Sequence, residues 1–163
     1  MNEKLYLFNP FMIKNLSEKE LQTIYQDLYK KIISDANTMH DYSTNIETYA
    51  NLIYICGEVI ARLTKDLIEL KTKIEINTSI NTTEERKHWS ESNDAKPPAL
   101  DYFKALATRM SQDDIKLLAD KECSLKRFKN AYDSIEHLIN ALKRKQDSIK
   151  YEEFGGSNSW NKV

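Results

Sequence analysis

The sequence predicts an all-α fold, on three observations. The 163 residues include only three glycines and three prolines, far fewer than the tight turns of a β domain require. Charged residues make up 30% and apolar residues 40%, the balance of helices with one dry stripe and one wet face. Two long stretches also repeat apolar residues in alternating steps of three and four, the signature of a heptad seam. The simplest architecture these support is a long antiparallel helical hairpin or a small helical bundle, one that self-associates to cover what a modest core leaves exposed.

The elements follow in order. Residues 1–15 are mixed and contain Pro10, so they are expected to be irregular. Ser17 begins a helix, with Glu20 three positions on completing a capping box. Leu21, Ile24, Tyr25, Leu28 and Ile32 then recur at helical spacing until the pattern stops near Ser34–Asn37. Residues 1–40 thus form an arm with a short helix, and 41–154 the hairpin core.

The first seam is Ile46, Tyr49, Ile53, Cys56, Ile60, Leu63, Leu67, Leu70 and Ile74. Such a run supercoils against a partner helix, and Ile46, Tyr49, Ile53, Ile60, Leu63 and Leu67 are the expected oligomer interface. Its first half is apolar on other faces too: Leu52, Ile55 and Val59 on one flank, Ala50, Gly57 and Ala61 on another. A helix wet on no side is buried, and Gly57 within it suits the close approach of a second helix.

Residues 77–98 break the pattern with Asn, Thr and Ser, and Pro97–Pro98 end any helix. A loop is expected there, with Leu100–Met110 as a short helix whose dry side is Tyr102, Phe103, Leu106 and Met110. Ser111, followed by Gln112, Asp113 and Asp114, starts the last helix at the positive end of its dipole. Its seam is Leu118, Leu125, Phe128, Tyr132, Ile135, Ile139, Leu142 and Ile149, interrupted by Lys121 and Gln146. Gly155–Gly156 ends it, leaving 155–163 as a loose tail.

The net charge is −1 and the pI about 6.3, so any phosphate binding must come from local cation clusters and not from the global field. Cys56 and Cys123 sit in apolar helical patterns and read as reduced core residues. With no leader-like opening and no apolar run long enough to cross a bilayer (Tyr49 to Ala61 is the longest), a cytoplasmic protein without a membrane partner is expected.

Catalytic chemistry finds no foothold. His40, His88 and His137 lack partners at metal-ligand spacing, and no HExxH or CxxC occurs. Asp113–Asp114 is explained by helix capping, and three glycines build no phosphate loop. The expectation is a non-enzyme with no metal and no cofactor.

What remains is basic and aromatic. Arg86, Lys87, His88 and Trp89 are consecutive, cations for phosphate beside a ring on which an unpaired base can stack. The competing reading has Trp89 plugging the hairpin end with the charges solvated. Lys126, Arg127 and Lys129 form a second group and Lys143, Arg144 and Lys145 a third, though mixed charges on these faces also suit a solvated helix.

The order of elements resembles the UvsY family, the recombination mediators of T-even and related phages. The resemblance is clearest from Trp89 to Phe154. It is carried by RKHW (Arg86 to Trp89), by SQDD (Ser111 to Asp114), by SLKRFKNAYDSIEHLINAL (Ser124 to Leu142) and by DSIKYEEF (Asp147 to Phe154). It implies a ring-like homo-oligomer that binds single-stranded DNA and loads a RecA-like recombinase onto strands covered by single-strand-binding protein. DNA contacts would fall on Arg86, Lys87 and Trp89, with Lys71 and Lys73 as outer members. The alternative is a helical interaction protein with no nucleic acid partner, such as a virion part, an adaptor or an inhibitor of a host protein.

Overall fold

The computed structural model describes residues 13–92 and 96–155, with side chains through Glu152. Those residues form four helices and no strand: α1 (Glu18–Tyr29), α2 (Met39–Ser92), α3 (Leu100–Met110) and α4 (Gln112–Gly155). The arm at 1–12 and the tail beyond Gly155 lie outside the described residues. The backbone divides into two compact units, Met1–Ile60 with Phe128–Val163, and Ala61–Arg127. Helices α2 and α4 each contribute a segment to both.

In the first unit the capping box forms as the sequence predicts. Ser17 Oγ accepts from the Glu20 amide, while the Glu20 carboxylate accepts from the Ser17 amide at 2.7 Å. These bonds, the side-chain one foremost, hold the Glu20 carboxyl below its ordinary range. A matching pair starts α2: the Asp41 amide donates to Thr38 Oγ1 at 3.1 Å and the Asp41 carboxylate accepts from the Thr38 amide at 3.0 Å. The Asp41 carboxyl is likewise lowered, first by its bonds to Thr38.

The core of this unit joins Leu21 and Leu28 of α1, Leu52, Ile55 and Cys56 of α2, and Ile135 and Ile139 of α4, with Ile13 beneath them. The flank carrying Leu52 and Ile55 is therefore the one that α2 buries most fully, while Ile46, Tyr49 and Ile53 are half-buried at its edge. Burying a leucine or isoleucine of this kind contributes about 2 kcal/mol. Residues 43 and 146 face each other, Gln146 Nε2 donating to Ser43 Oγ at 2.7 Å. With Leu52 packed beside Ile135 and Ile139, that contact makes the two segments antiparallel.

Asn45 ties the α1–α2 connection to this core. Only 3% exposed, it accepts from the Ile33 amide at 2.8 Å and donates to the Ile33 carbonyl at 2.9 Å. Both halves of one amide thus satisfy both backbone groups of a residue outside any helix.

The second unit is thinner. Its buried residues are Leu67, Leu70, Phe103 and Ala107, joined by the polar Thr82 and Ser111. The segments of α2 and α4 are again antiparallel: Lys121 Nζ meets Asp66 at 2.6 Å, and seven residues further along α2, Lys73 meets Asp114 at 2.9 Å. Lys121 and Gln146, the two interruptions of the second seam, are thus residues that make polar contacts across to α2.

Three expectations are corrected here. The loop expected over 77–98 is helix as far as Ser92. Neither Gly nor Pro occurs between residue 77 and Pro97 to stop it, and the hydroxyls of Thr82, Thr83 and Ser90 donate back to the carbonyls of Thr78, Ser79 and Lys87. Helical periodicity of burial continues through Asn77, Asn81, Thr82, Glu85 and Trp89, although most of these residues are polar. On α3 the dry side is Phe103, Leu106 and Ala107, while Tyr102 and Met110 are exposed, because the pair four apart fills the inner face. Cys56 is buried as expected but Cys123 is exposed; it lies on the side of α4 away from Lys121, Leu125 and Phe128.

Two outcomes follow from this packing. Asn45→Ala strands the Ile33 amide and carbonyl and lowers the unfolding free energy by about 2–3 kcal/mol, measured by urea denaturation. A thiol reagent at neutral pH modifies Cys123 rapidly and Cys56 only after denaturant is added, since burial encloses the Cys56 thiol and pushes its pKa up. Mass spectrometry of the labelled peptides distinguishes the two.

Candidate nucleic-acid interface

Arg86, Lys87 and His88 project from the last turns of α2 and are exposed. Their helix is poor in strong helix formers and is held from below by Trp89. That indole is half-buried and meets Tyr102 at 6.4 Å and Phe103 at 6.3 Å between ring centroids, edge to face in both cases. Tyr102 and Phe103 are themselves edge to face at 5.5 Å. Phe103 is 1% exposed and Tyr102 53%. Three steeply inclined rings therefore fasten the end of α2 to α3, each such pair contributing about 1 kcal/mol beyond its buried area. The ring with a free face is Tyr102; Trp89 is committed to the packing.

The outer members behave differently. Lys71 Nζ lies 2.8 Å from Glu122 and Lys73 Nζ 2.9 Å from Asp114. Both cations are spent on carboxylates of α4, which subtracts from the field a phosphate would meet. Lys87 has a longer pairing with Glu91, at 3.8 Å and one turn on, an exposed contact of small energy. Arg86 makes no ion pair among the described residues.

Spacing along α2 separates these groups further. Lys71 and Arg86 are about 20 Å apart along the axis at 1.5 Å per residue. Lys126 and Arg127 are exposed on α4 beyond Glu122, and since α4 runs opposite to α2 they lie still farther from Arg86. Lys129, also exposed, belongs to the other unit. The structure thus brings Arg86, Lys87 and His88 together with Tyr102, and leaves Lys71 with Lys73, and Lys126 with Arg127, as separate groups.

Apolar spacing alone puts Tyr102 on the dry side of α3, so its exposed ring is the feature of this site that the sequence hides. The signal for its true place is Ala107: an inner face running Phe103–Ala107 turns Tyr102 outward by one residue.

Of the six expected interface residues, Leu67 is buried inside the second unit and Leu63 is half-buried there. In the first unit Tyr49 and Ile60 are half-buried, and Ile46 and Ile53 line an open groove of about 540 Å³. A smaller groove of about 330 Å³ is bordered by Tyr42, Arg144, Lys145 and Ser148.

No cluster of three His, Cys, Asp or Glu side chains that could hold a metal occurs among the described residues. No described helix is long and apolar enough to cross a membrane. Compared with known proteins, the chain matches no family model, no curated protein and no solved structure.

Proposed function

We propose that this chain is a non-enzymatic, self-associating helical protein that binds single-stranded DNA at the Arg86 end of α2, in the role of a phage-type recombination mediator. A mediator of this kind loads a RecA-like recombinase onto strands covered by single-strand-binding protein. The observation that carries the reading is the juxtaposition of Arg86, Lys87 and His88, all exposed, with the half-exposed ring of Tyr102 beside Trp89. Cations neutralise phosphate, and an aromatic face accepts a base regardless of its identity. Tyr102 takes the stacking role and Trp89 the positioning one. Lys71 and Lys73 are reserve charge, released for phosphate only if their carboxylate partners are given up. Lys126, Arg127 and Lys129 are a second, weaker track.

A chain of near-neutral charge binds a polyanion weakly through one such cluster. Repetition of the cluster in an oligomer raises the effective affinity without any new contact. Self-association is for that reason part of the proposal.

A second reading has its own support. Ile68, Ile76 and Ile80 are exposed on α2 in the second unit, and Leu117 on α4. Exposed β-branched side chains recurring on one helix suit a protein partner, as in an adaptor or an inhibitor with no nucleic acid ligand.

Fluorescence anisotropy of a labelled single-stranded oligonucleotide, with a duplex control and a salt series, separates the two. The mediator reading expects single-strand preference and affinity that falls with salt, at a log–log slope of about −0.7 per phosphate contact. Arg86→Glu with Lys87→Glu abolishes binding while the circular dichroism is unchanged. Tyr102→Ala weakens it about tenfold or more. Lys71→Ala with Lys73→Ala has the smaller effect, because both are already paired. A folded chain that binds no oligonucleotide at low salt leaves the protein-interaction reading in place.

A further inference from the structure

The open groove of the first unit has one wall from α2, with Ile46, Ala50, Ile53 and Gly57, and another from α4, with Tyr132 and Ile139. Its volume, about 540 Å³, is that of several side chains. Gly57 is the deepest gap in the α2 wall: a Cβ built there meets no atom within 4 Å. Ala50 lies one heptad before Gly57, so two short side chains recur on the same stripe, where a facing helix or a large ring can come close. Tyr54, 52% exposed, stands on the same wall. One surface therefore carries both a projection and a hollow.

The charges at the rim have a direction. Gln146 is bonded to Ser43 and the segments are antiparallel, so Lys143, one turn before Gln146, lies at the Ile46 end. Glu58 lies at the other end, beside Gly57, about 18 Å away along α2 at 1.5 Å per residue. A groove with a base at one end and an acid at the other is complementary to its own inverted copy. Two-fold docking requires that property, since each patch must fit itself.

We propose that this groove is an isologous interface, occupied by the same groove of a second copy of the chain. In it Tyr54 of each copy fills the hollow over Gly57 of the other, and Glu58 of each meets Lys143 of the other, twice per pair. The proposal rests on the self-association part of the proposed function and is independent of DNA binding. It also divides the labour of the first seam: Ile46 and Ile53 serve the contact between copies, while Cys56, Leu67 and Leu70 are buried within the chain.

The test is sedimentation of the full chain and its variants, with thermal melts alongside. Gly57→Leu fills the hollow; it weakens association about tenfold or more, yet leaves the melting temperature equal or higher, because leucine favours helix over glycine. Glu58→Lys alone and Lys143→Glu alone each set like charges face to face and weaken self-association. An equimolar mixture of those two variants associates again, since opposite charges then face each other across the mixed pair. A wild-type chain that runs as a 19.1 kDa monomer overturns both this interface and the self-association reading. A wild-type oligomer unchanged by Gly57→Leu, or single-charge variants that the mixture does not rescue, overturns this interface alone.

Discussion

Apolar seams attract one another without choosing a register, because a leucine is satisfied by either of two neighbouring gaps one turn apart. In this chain the choice is made at polar positions. Lys121 reaching Asp66 fixes the pairing in one unit, and Gln146 reaching Ser43 fixes it in the other. A slip of one turn would separate a half-buried ammonium from its carboxylate, a heavier penalty than moving one leucine to the next gap. The core residues, the groove and the exposed clusters all take their positions from that register. The added weight of Asn45, which clamps Ile33 by both its hydrogen-bonding groups, fixes where α1 lies on the same core.

Much of this is legible in the residues. The capping box at Ser17, the bounds of α3 at Leu100 and Met110, and the stop of α4 at Gly155 each rest on local signals that act over three or four residues. The seams are legible because apolar spacing reports which face is buried. Three things are not. The polar interruptions read as flaws in a pattern, since nothing in a one-dimensional sequence says that Lys121 has an aspartate opposite. The far end of α2 reads as loop because propensity speaks for isolated peptides, whereas packing of Trp89 on Phe103 and hydroxyl bonding along the helix hold it here. Asn45 gives no signal at all, its partner being a backbone twelve residues earlier.

The candidate site shows the same division. That Arg86, Lys87 and His88 are exposed neighbours follows from their spacing on a helix. Which aromatic ring they accompany does not, because it depends on how α3 is rotated against α2. Likewise Lys71 and Lys73 look like free charge until Glu122 and Asp114 are placed against them. Charge counted along a sequence overstates charge available to a ligand wherever antiparallel helices bring opposite signs together.

The hydroxyl-rich end of α2 has a kinetic consequence. From Asn77 onward the helix carries Asn, Thr and Ser in place of strong formers, and its tertiary anchorage narrows to Thr82 and the Trp89 rings. Such a stretch opens as a local unit at lower free energy than the helices around Leu52 and Ile55, and α3 opens with it because Phe103 is half of the anchor. Amide exchange would register these turns as the first to lose protection. The cations are thus mounted on a structural element whose order is conditional, and any ligand that grips them only in the helical state would be linked to its folding and would slow that exchange.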